Sequence, residues 1–151
     1  MSYITNSDIV QAVGTERAVQ LTDGTGSTPT AAVLDEVRNT AEGEANGYLA
    51  RRYAVPVNLS SHADLAGVLK GMVLRLAVYW LWGRKPPPPE QPEKDYNYAI
   101  KWLEKVSEGK IVLPAAATPP ASTSDEPTIE TGGSPLASGR TNMAVGTRPE
   151  E

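Results

Sequence analysis

The sequence predicts an all-α protein, a small helical bundle of about three main helices that carries a short C-terminal strand and an extended C-terminal arm. Apolar residues recur at helical spacing through most of residues 1–113, and glycine or proline separates the segments. All three Trp and all six Tyr lie in residues 1–113, whereas residues 114–151 contain no aromatic residue and six prolines. The sequence therefore predicts two parts: a helical body at 1–113 and an arm at 114–151.

The N-terminal part of the body predicts two short helices. Thr5 is placed to cap a helix that runs to Val13, with Asp8 in its first turn, where a negative charge is favourable. Gly14 ends this helix, and a second helical turn reaches about Leu21. A glycine-containing loop follows.

The first long helix is predicted to begin at Thr28, which precedes a proline at the first helical position. It should reach about Tyr53, a length of about 35 Å at ~1.5 Å per residue. Pro56 lies in the connection after it. One face of the helix is apolar and is expected to be buried: Leu34, Val37, Ala41, Ala45, Tyr48 and Leu49.

The second long helix should begin at Ser61 or Asp64 and end at Gly83, before a run of four prolines that predicts a stiff polyproline II spacer. Residues 65–82 come close to the roughly 20 apolar residues of a membrane span. Lys70 and Arg75 interrupt them, and a charge at mid-bilayer costs about 2.5–3.5 kcal/mol. The pattern favours a helix buried at the centre of a bundle.

The last helix is predicted from Pro92 to Glu108, with Gly109 as its C-terminal stop. Its buried stripe should consist of Tyr96, Ala99, Leu103 and Val106. The segment Ile111–Val112–Leu113 could form one short strand before Pro114.

Composition limits the function classes. The net charge is −4, from 14 basic and 18 acidic residues, so bulk charge does not predict a nucleic-acid binder. The chain has no cysteine, which excludes disulfides and thiolate chemistry and fits folding in a reducing cytoplasm. The first residues lack the pattern of a secretory signal. The arm is too poor in large apolar groups to order itself, so we expect contact with a partner to order it.

No pattern in the sequence predicts an enzyme, a metal site or a cofactor. Asp23 opens a loop with two glycines, yet the later positions lack the carboxylates of a calcium loop, so a plain turn is favoured. His62 stands beside two serines without a nucleophile-elbow motif, which favours a capping or surface role. The aromatic residues of the last two helices could be a stacking surface, but their spacing favours a core or subunit interface.

An ordered series of motifs resembles the Mu-like phage family of small neck proteins. The most specific stretch is Gly47-Tyr48-Leu49-Ala50-Arg51-Arg52-Tyr53-Ala54-Val55-Pro56, and the N-terminal Met1-Ser2-Tyr3-Ile4-Thr5 and Gln20-Leu21-Thr22-Asp23 precede it. Tyr79-Trp80-Leu81-Trp82-Gly83 and Tyr98-Ala99-Ile100-Lys101-Trp102-Leu103 follow, leading into Gly109-Lys110-Ile111. The resemblance covers roughly residues 1–113, and the long arm departs from the family pattern.

The resemblance implies a head–tail connector, or adaptor, in the virion neck. Its implied partners are the portal protein, copies of itself in a twelve-fold ring, the next neck protein, and DNA that passes through the ring without sequence-specific binding. Contact residues expected for such a subunit are Arg51, Arg52, Tyr53, Trp82, Ile111, Val112, Leu113 and, in the arm, Ile129, Leu136, Met143 and Val145. A helical DNA-binding packaging or regulatory protein and a small enzyme remain as alternatives.

Overall fold

The computed structural model describes residues 2–23 and 25–115, and in this part of the chain it contains five α-helices and no strand. The all-α prediction is confirmed for these residues. The helices are α1 (Asn6–Val13), α2 (Thr15–Leu21), α3 (Ala31–Leu49), α4 (Ala63–Trp82) and α5 (Glu90–Ser107).

α1 begins where the sequence predicts, because Thr5 and Asp8 cap it reciprocally. The Thr5 hydroxyl accepts a hydrogen bond from the Asp8 backbone N–H at 3.2 Å, and the Asp8 carboxylate accepts one from the Thr5 N–H at 2.8 Å. This capping box satisfies two N–H groups that the helix itself leaves free. Gly14 ends the helix with a φ of 90°, a conformation that side-chain-bearing residues rarely adopt.

α3 is shorter than predicted at both ends. It begins at Ala31 because Thr28 lies in a turn, its N–H bonded to the Thr25 carbonyl at 3.2 Å. It ends at Leu49 rather than at Tyr53, because the N–H groups of Arg52 and Tyr53 both donate to the Leu49 carbonyl, at 3.0 and 2.9 Å, in a turn. At about 1.5 Å per residue, this helix is about 28 Å long.

α4 is the central helix of the body, since it packs against α1, α3 and α5. Its inward side chains are completely or almost completely buried together with the apolar stripes of α3 and α5. The residues from α4 are Leu69, Met72, Val73, Leu76, Ala77 and Leu81.

α4 is also long and apolar enough to cross a membrane, the one helix of the described residues that meets both conditions, yet only a third of its apolar window is buried. The prediction of a bundle core therefore holds for one side of the helix. The other side of the helix is only partly covered, and its residues are exposed or half-buried.

The predicted stops also hold, with small shifts. α4 ends before Gly83, and α5 begins at Glu90, two residues before the predicted start. The proline run bends at residues 85–87, so the predicted polyproline II spacer is wrong for its first half.

The end of the described chain is anchored to the body by Tyr53. Its hydroxyl accepts a hydrogen bond from the backbone N–H of Leu113 at 2.7 Å, and both residues are buried. Ile111–Leu113 pairs with no strand among the described residues, and any partner strand beyond 115 lies outside them, so this strand stays a prediction. The predicted arm lies almost wholly outside the described residues.

Candidate interaction surface

α4 turns one side away from the three helices that it packs against, and this side is apolar. Gly67, Gly71, Leu74, Val78 and Trp82 recur every three or four residues along it, and each is exposed or half-buried. We call these five residues the α4 face. An apolar side on the most hydrophobic helix is what a contact surface for another protein requires.

Cations border the α4 face on both sides. The Arg17 guanidinium lies over the Trp82 ring, 5.0 Å from its centroid, and the Arg75 guanidinium lies 5.2 Å from the centroid of Tyr98 on α5. Lys70 binds a carboxylate of α1 at 2.9 Å. A partner segment that is apolar with acidic flanks would match this arrangement.

The glycines of the α4 face have no role in the packing of the body. A Cβ built on Gly67 or on Gly71 would meet no heavy atom within 4 Å. Glycine inside a helix costs about 0.8–1.0 kcal/mol relative to alanine. Both glycines of α4 have this cost. Because neither has a side chain, another backbone can approach this part of the helix closely.

A second surface follows the outward side of α5. Lys94, Tyr98, Lys101 and Lys105 share this side, which lies opposite the buried stripe, and we call them the α5 stripe. Tyr98 is 57% exposed, unusually high for a large aromatic residue. Lys94 pairs with Glu90, whereas Lys101 and Lys105 have no ion-pair partner among the described residues. Within the described part of the chain, the α5 stripe therefore combines two unpaired lysines with an exposed aromatic ring.

A third surface is a cleft of about 420 Å³ between the first half of α3 and the end of α4. Glu36, Tyr79, Trp80 and Arg84 are among its lining residues, and we call it the Glu36 cleft. Glu36 is exposed, and Trp80 is 39% exposed. Carboxylate and aromatic face together form an environment that suits a cationic side chain.

Glu44 holds the aromatic wall of this cleft in place. Its two carboxylate oxygens accept hydrogen bonds from the Trp80 indole N–H at 2.9 Å and from the Tyr96 hydroxyl at 2.6 Å. Tyr96 also stacks on Tyr79, with ring centroids 4.1 Å apart. Burial, and then the Glu44 carboxylate, raise the pKa of Tyr96 far above its usual value, so the phenol stays protonated and keeps donating.

The remaining charge at the cleft is already compensated. Arg84 donates to the Leu21 carbonyl at 3.0 Å and pairs with Asp23 at 3.2 Å. Lys85 pairs with the same carboxylate at 2.7 Å and, ahead of Arg84, lowers the pKa of Asp23. Glu36, in contrast, has no ion-pair partner within the described part of the chain, which leaves it as the free charge of the cleft.

The loop that resembled a calcium site is organised differently. Asp23 is engaged by two cations and has a positive φ of 55°, as expected of a tight turn. Within residues 2–23 and 25–115, no three His, Cys, Asp or Glu side chains come together as metal ligands would. His62 is exposed at the N-cap of α4, and its side chain makes no capping hydrogen bond.

The contact residues expected from the sequence fall into three groups: buried residues, exposed or half-buried residues, and residues outside the described part of the chain. Tyr53 and Leu113 are 4% and 3% exposed, so in this structure they stabilise the body itself. Arg52 is exposed but lies across Gly109, where its guanidinium would come within 2.9 Å of an added Cβ. Arg51 is exposed.

The others are partly exposed or lie outside the described residues. Val112 is 70% exposed, and Ile111 is half-buried beside it. Trp82 is half-buried and belongs to the α4 face. The four arm residues Ile129, Leu136, Met143 and Val145 lie outside the described residues. The contact role of all these residues stays a prediction.

Two surfaces were missed at the sequence level, and only the α5 stripe left a signal there. Lys94, Lys101 and Lys105 lie at helical spacing around Tyr98, opposite the apolar stripe of α5, and this pattern could have been read. Glu44 gave no such signal, because its partners are 36 and 52 residues away in the sequence.

Comparison with known proteins gives one family. The family described as "Bacteriophage Mu, Gp36" matches residues 3–131. The match continues past Leu113, so the first part of the predicted arm belongs to the family pattern and does not depart from it. No curated protein matches the chain.

Proposed function

The chain belongs to the bacteriophage Mu Gp36 family, and from this premise we propose that it is a structural head–tail connector subunit of a tailed phage. In this proposal the subunit lies in the virion neck and forms a ring, expected to be twelve-fold, between portal and tail. DNA passes through the ring, and the subunit acts by binding its neighbours rather than by catalysis.

The observation that supports a binding role best is the partly exposed apolar side of α4. A helix with an apolar window of mean hydropathy 1.4 is only one-third buried within its own subunit. Apolar surface that stays in water is unfavourable, at about 25 cal/mol per Å². A permanent neighbour in the particle would remove this cost.

We assign the α4 face to the portal. A helix can lie in a smooth apolar strip and place side chains against Leu74, Val78 and Trp82, as in other helix-in-groove contacts. Gly67 and Gly71 let the partner backbone come close. The predicted arm would add contacts to the portal or to an adjacent subunit.

The test is co-purification of the full-length chain with its portal protein, followed by a mass measurement of the complex. We expect a complex with a fixed subunit ratio and a ring in electron micrographs. Gly71→Leu fills the α4 face and should weaken portal binding, whereas the matched Gly47→Leu, on the outward side of α3, should not. Failure of the unaltered chain to join either portal or phage particles would refute the proposal.

A DNA-binding role is the second candidate, and the α5 stripe is the observation that favours it. Lysines beside an exposed tyrosine can contact phosphates and stack on bases. This role requires an affinity for DNA that falls steeply with salt. The connector proposal instead expects DNA binding that is weak and unaffected when Lys101 is replaced by Glu.

A further inference from the structure

We infer that the Glu36 cleft of one copy receives the α5 stripe of a second copy, and that this contact joins subunits within the ring. The inference rests on the proposed connector function and specifies its subunit interface. It differs from the portal contact, which we assign to the α4 face.

The chemistry of the two surfaces is complementary. The cleft offers the carboxylate of Glu36, which has no ion-pair partner among the described residues, together with the partly exposed side chain of Trp80. The stripe offers the ammonium groups of Lys101 and Lys105, one helical turn apart, beside Tyr98. A lysine in the cleft would gain an ion pair and a cation–π contact together.

The cleft is also pre-organised to bind a lysine side chain. Its volume, about 420 Å³, lies in the range of clefts that hold small ligands, so a long side chain fits. Glu44 fixes the Trp80 ring by its hydrogen bond to the indole N–H. Because the Trp80 side chain is already held in place, it loses little conformational freedom when a lysine binds, and this favours binding.

The two surfaces do not share residues, and this is the property that a ring needs. A head-to-tail contact uses different surfaces on the two partners and leaves one of each free at either end, so that further copies can add until the ring closes. The cleft is built from α3 and α4, whereas the stripe lies on the outward side of α5. One copy can therefore bind one neighbour through its cleft and another neighbour through its stripe at the same time.

The first test is a charge swap in the full-length chain, measured by sedimentation over a concentration series. Glu36→Lys alone, and Lys101→Glu with Lys105→Glu, should each weaken self-association by about tenfold or more, since each places like charges in contact. An equimolar mixture of the two variants should restore assembly, because every contact in it can pair opposite charges. Lys110→Glu changes the net charge away from the stripe and is the control that should assemble normally.

The second test uses the absence of cysteine from the chain, which makes every disulfide an engineered one. Glu36→Cys and Lys105→Cys are prepared in separate copies, mixed and oxidised. We expect a covalent dimer of the two variants, and none when Gln11→Cys on α1 replaces Glu36→Cys.

The outcomes separate the inference from the proposed function. Rings that form normally despite the charge changes, or cross-linking equal to the Gln11 control, would overturn the inference and leave the connector proposal intact. So would a chain that binds portal but never associates with itself. A chain that joins neither itself, nor portal, nor particles would overturn both.

Discussion

Replacing the glycines inside α3 and α4 with alanine should stabilise the isolated subunit. Gly43, Gly47, Gly67 and Gly71 have ordinary helical φ angles, and a Cβ on any of them would meet no heavy atom within 4 Å. Each substitution should therefore add the full difference in helix propensity, about 0.8–1.0 kcal/mol. The four together should raise the free energy of unfolding by about 3–4 kcal/mol if they act independently.

The assay is urea or thermal denaturation of each single variant and of the fourfold variant. For a unit of this size, about 1 kcal/mol corresponds to roughly 4 °C in Tm, so the fourfold variant should melt about 12–16 °C higher. Gly109→Ala is the control of opposite sign, because Gly109 has a φ of 83° and an added Cβ would lie 2.9 Å from the Arg52 guanidinium. It should destabilise by about 1 kcal/mol or more.

Two results would refute this reasoning. Unchanged or lower stability of the four helical variants would show that these glycines serve the fold of the single subunit. A Gly109→Ala variant as stable as the unaltered chain would show that the positive φ and the Arg52 contact impose no constraint. If the double variant Gly67→Ala with Gly71→Ala gains stability and loses portal binding, these two glycines are retained for the contact.

Three further changes test the body of the protein. Tyr53→Phe should lower the free energy of unfolding by about 1–3 kcal/mol, measured by urea denaturation, because the buried N–H of Leu113 loses its partner; an unchanged midpoint would contradict the anchoring role. Thr5→Ala should cost about 1 kcal/mol through loss of the capping box, whereas Thr5→Ser should cost much less. The hydrogen bond with Lys70 is the largest of the effects that lower the pKa of Asp8 below 3.8. The stabilisation from this pair is therefore complete above that pH and is lost as the pH falls through the lowered pKa. Acid unfolding of the Asp8→Asn variant should lack this loss of stability, and an acid-unfolding curve identical to that of the unaltered chain would disprove the reasoning.

Local signals in the sequence predicted much of the fold. The cap at Thr5, the stop at Gly14 and the apolar stripes of α3 and α5 depend on residues within a few positions of each other, and the structure confirms them. The start of α3 depends on a longer contact. Thr22 accepts a hydrogen bond from the N–H of Thr30 at 2.9 Å, which no capping rule for Thr28 anticipates.

The candidate surfaces were less predictable, for a related reason. Helical periodicity shows that the α4 segment is apolar, but it does not show how many of its sides neighbouring helices cover. Tyr53 was expected as a contact residue, and no pattern in the sequence indicated that its hydroxyl accepts a hydrogen bond from the backbone of Leu113, 60 residues away. Such distinctions depend on tertiary packing, which a pattern within one segment does not contain.

The bond between Tyr53 and Leu113 has a geometric consequence for everything that follows it in the chain. It fixes Leu113 on the body, and covalent geometry then limits how far any later residue can lie from that point. An extended chain spans about 3.3–3.6 Å per residue, which limits Ile129, 16 residues further on, to roughly 55 Å from that point. If Ile129 contacts a partner, as the sequence predicts, that contact lies within this distance of Leu113. Releasing Leu113 from Tyr53 would extend the region that Ile129 can reach.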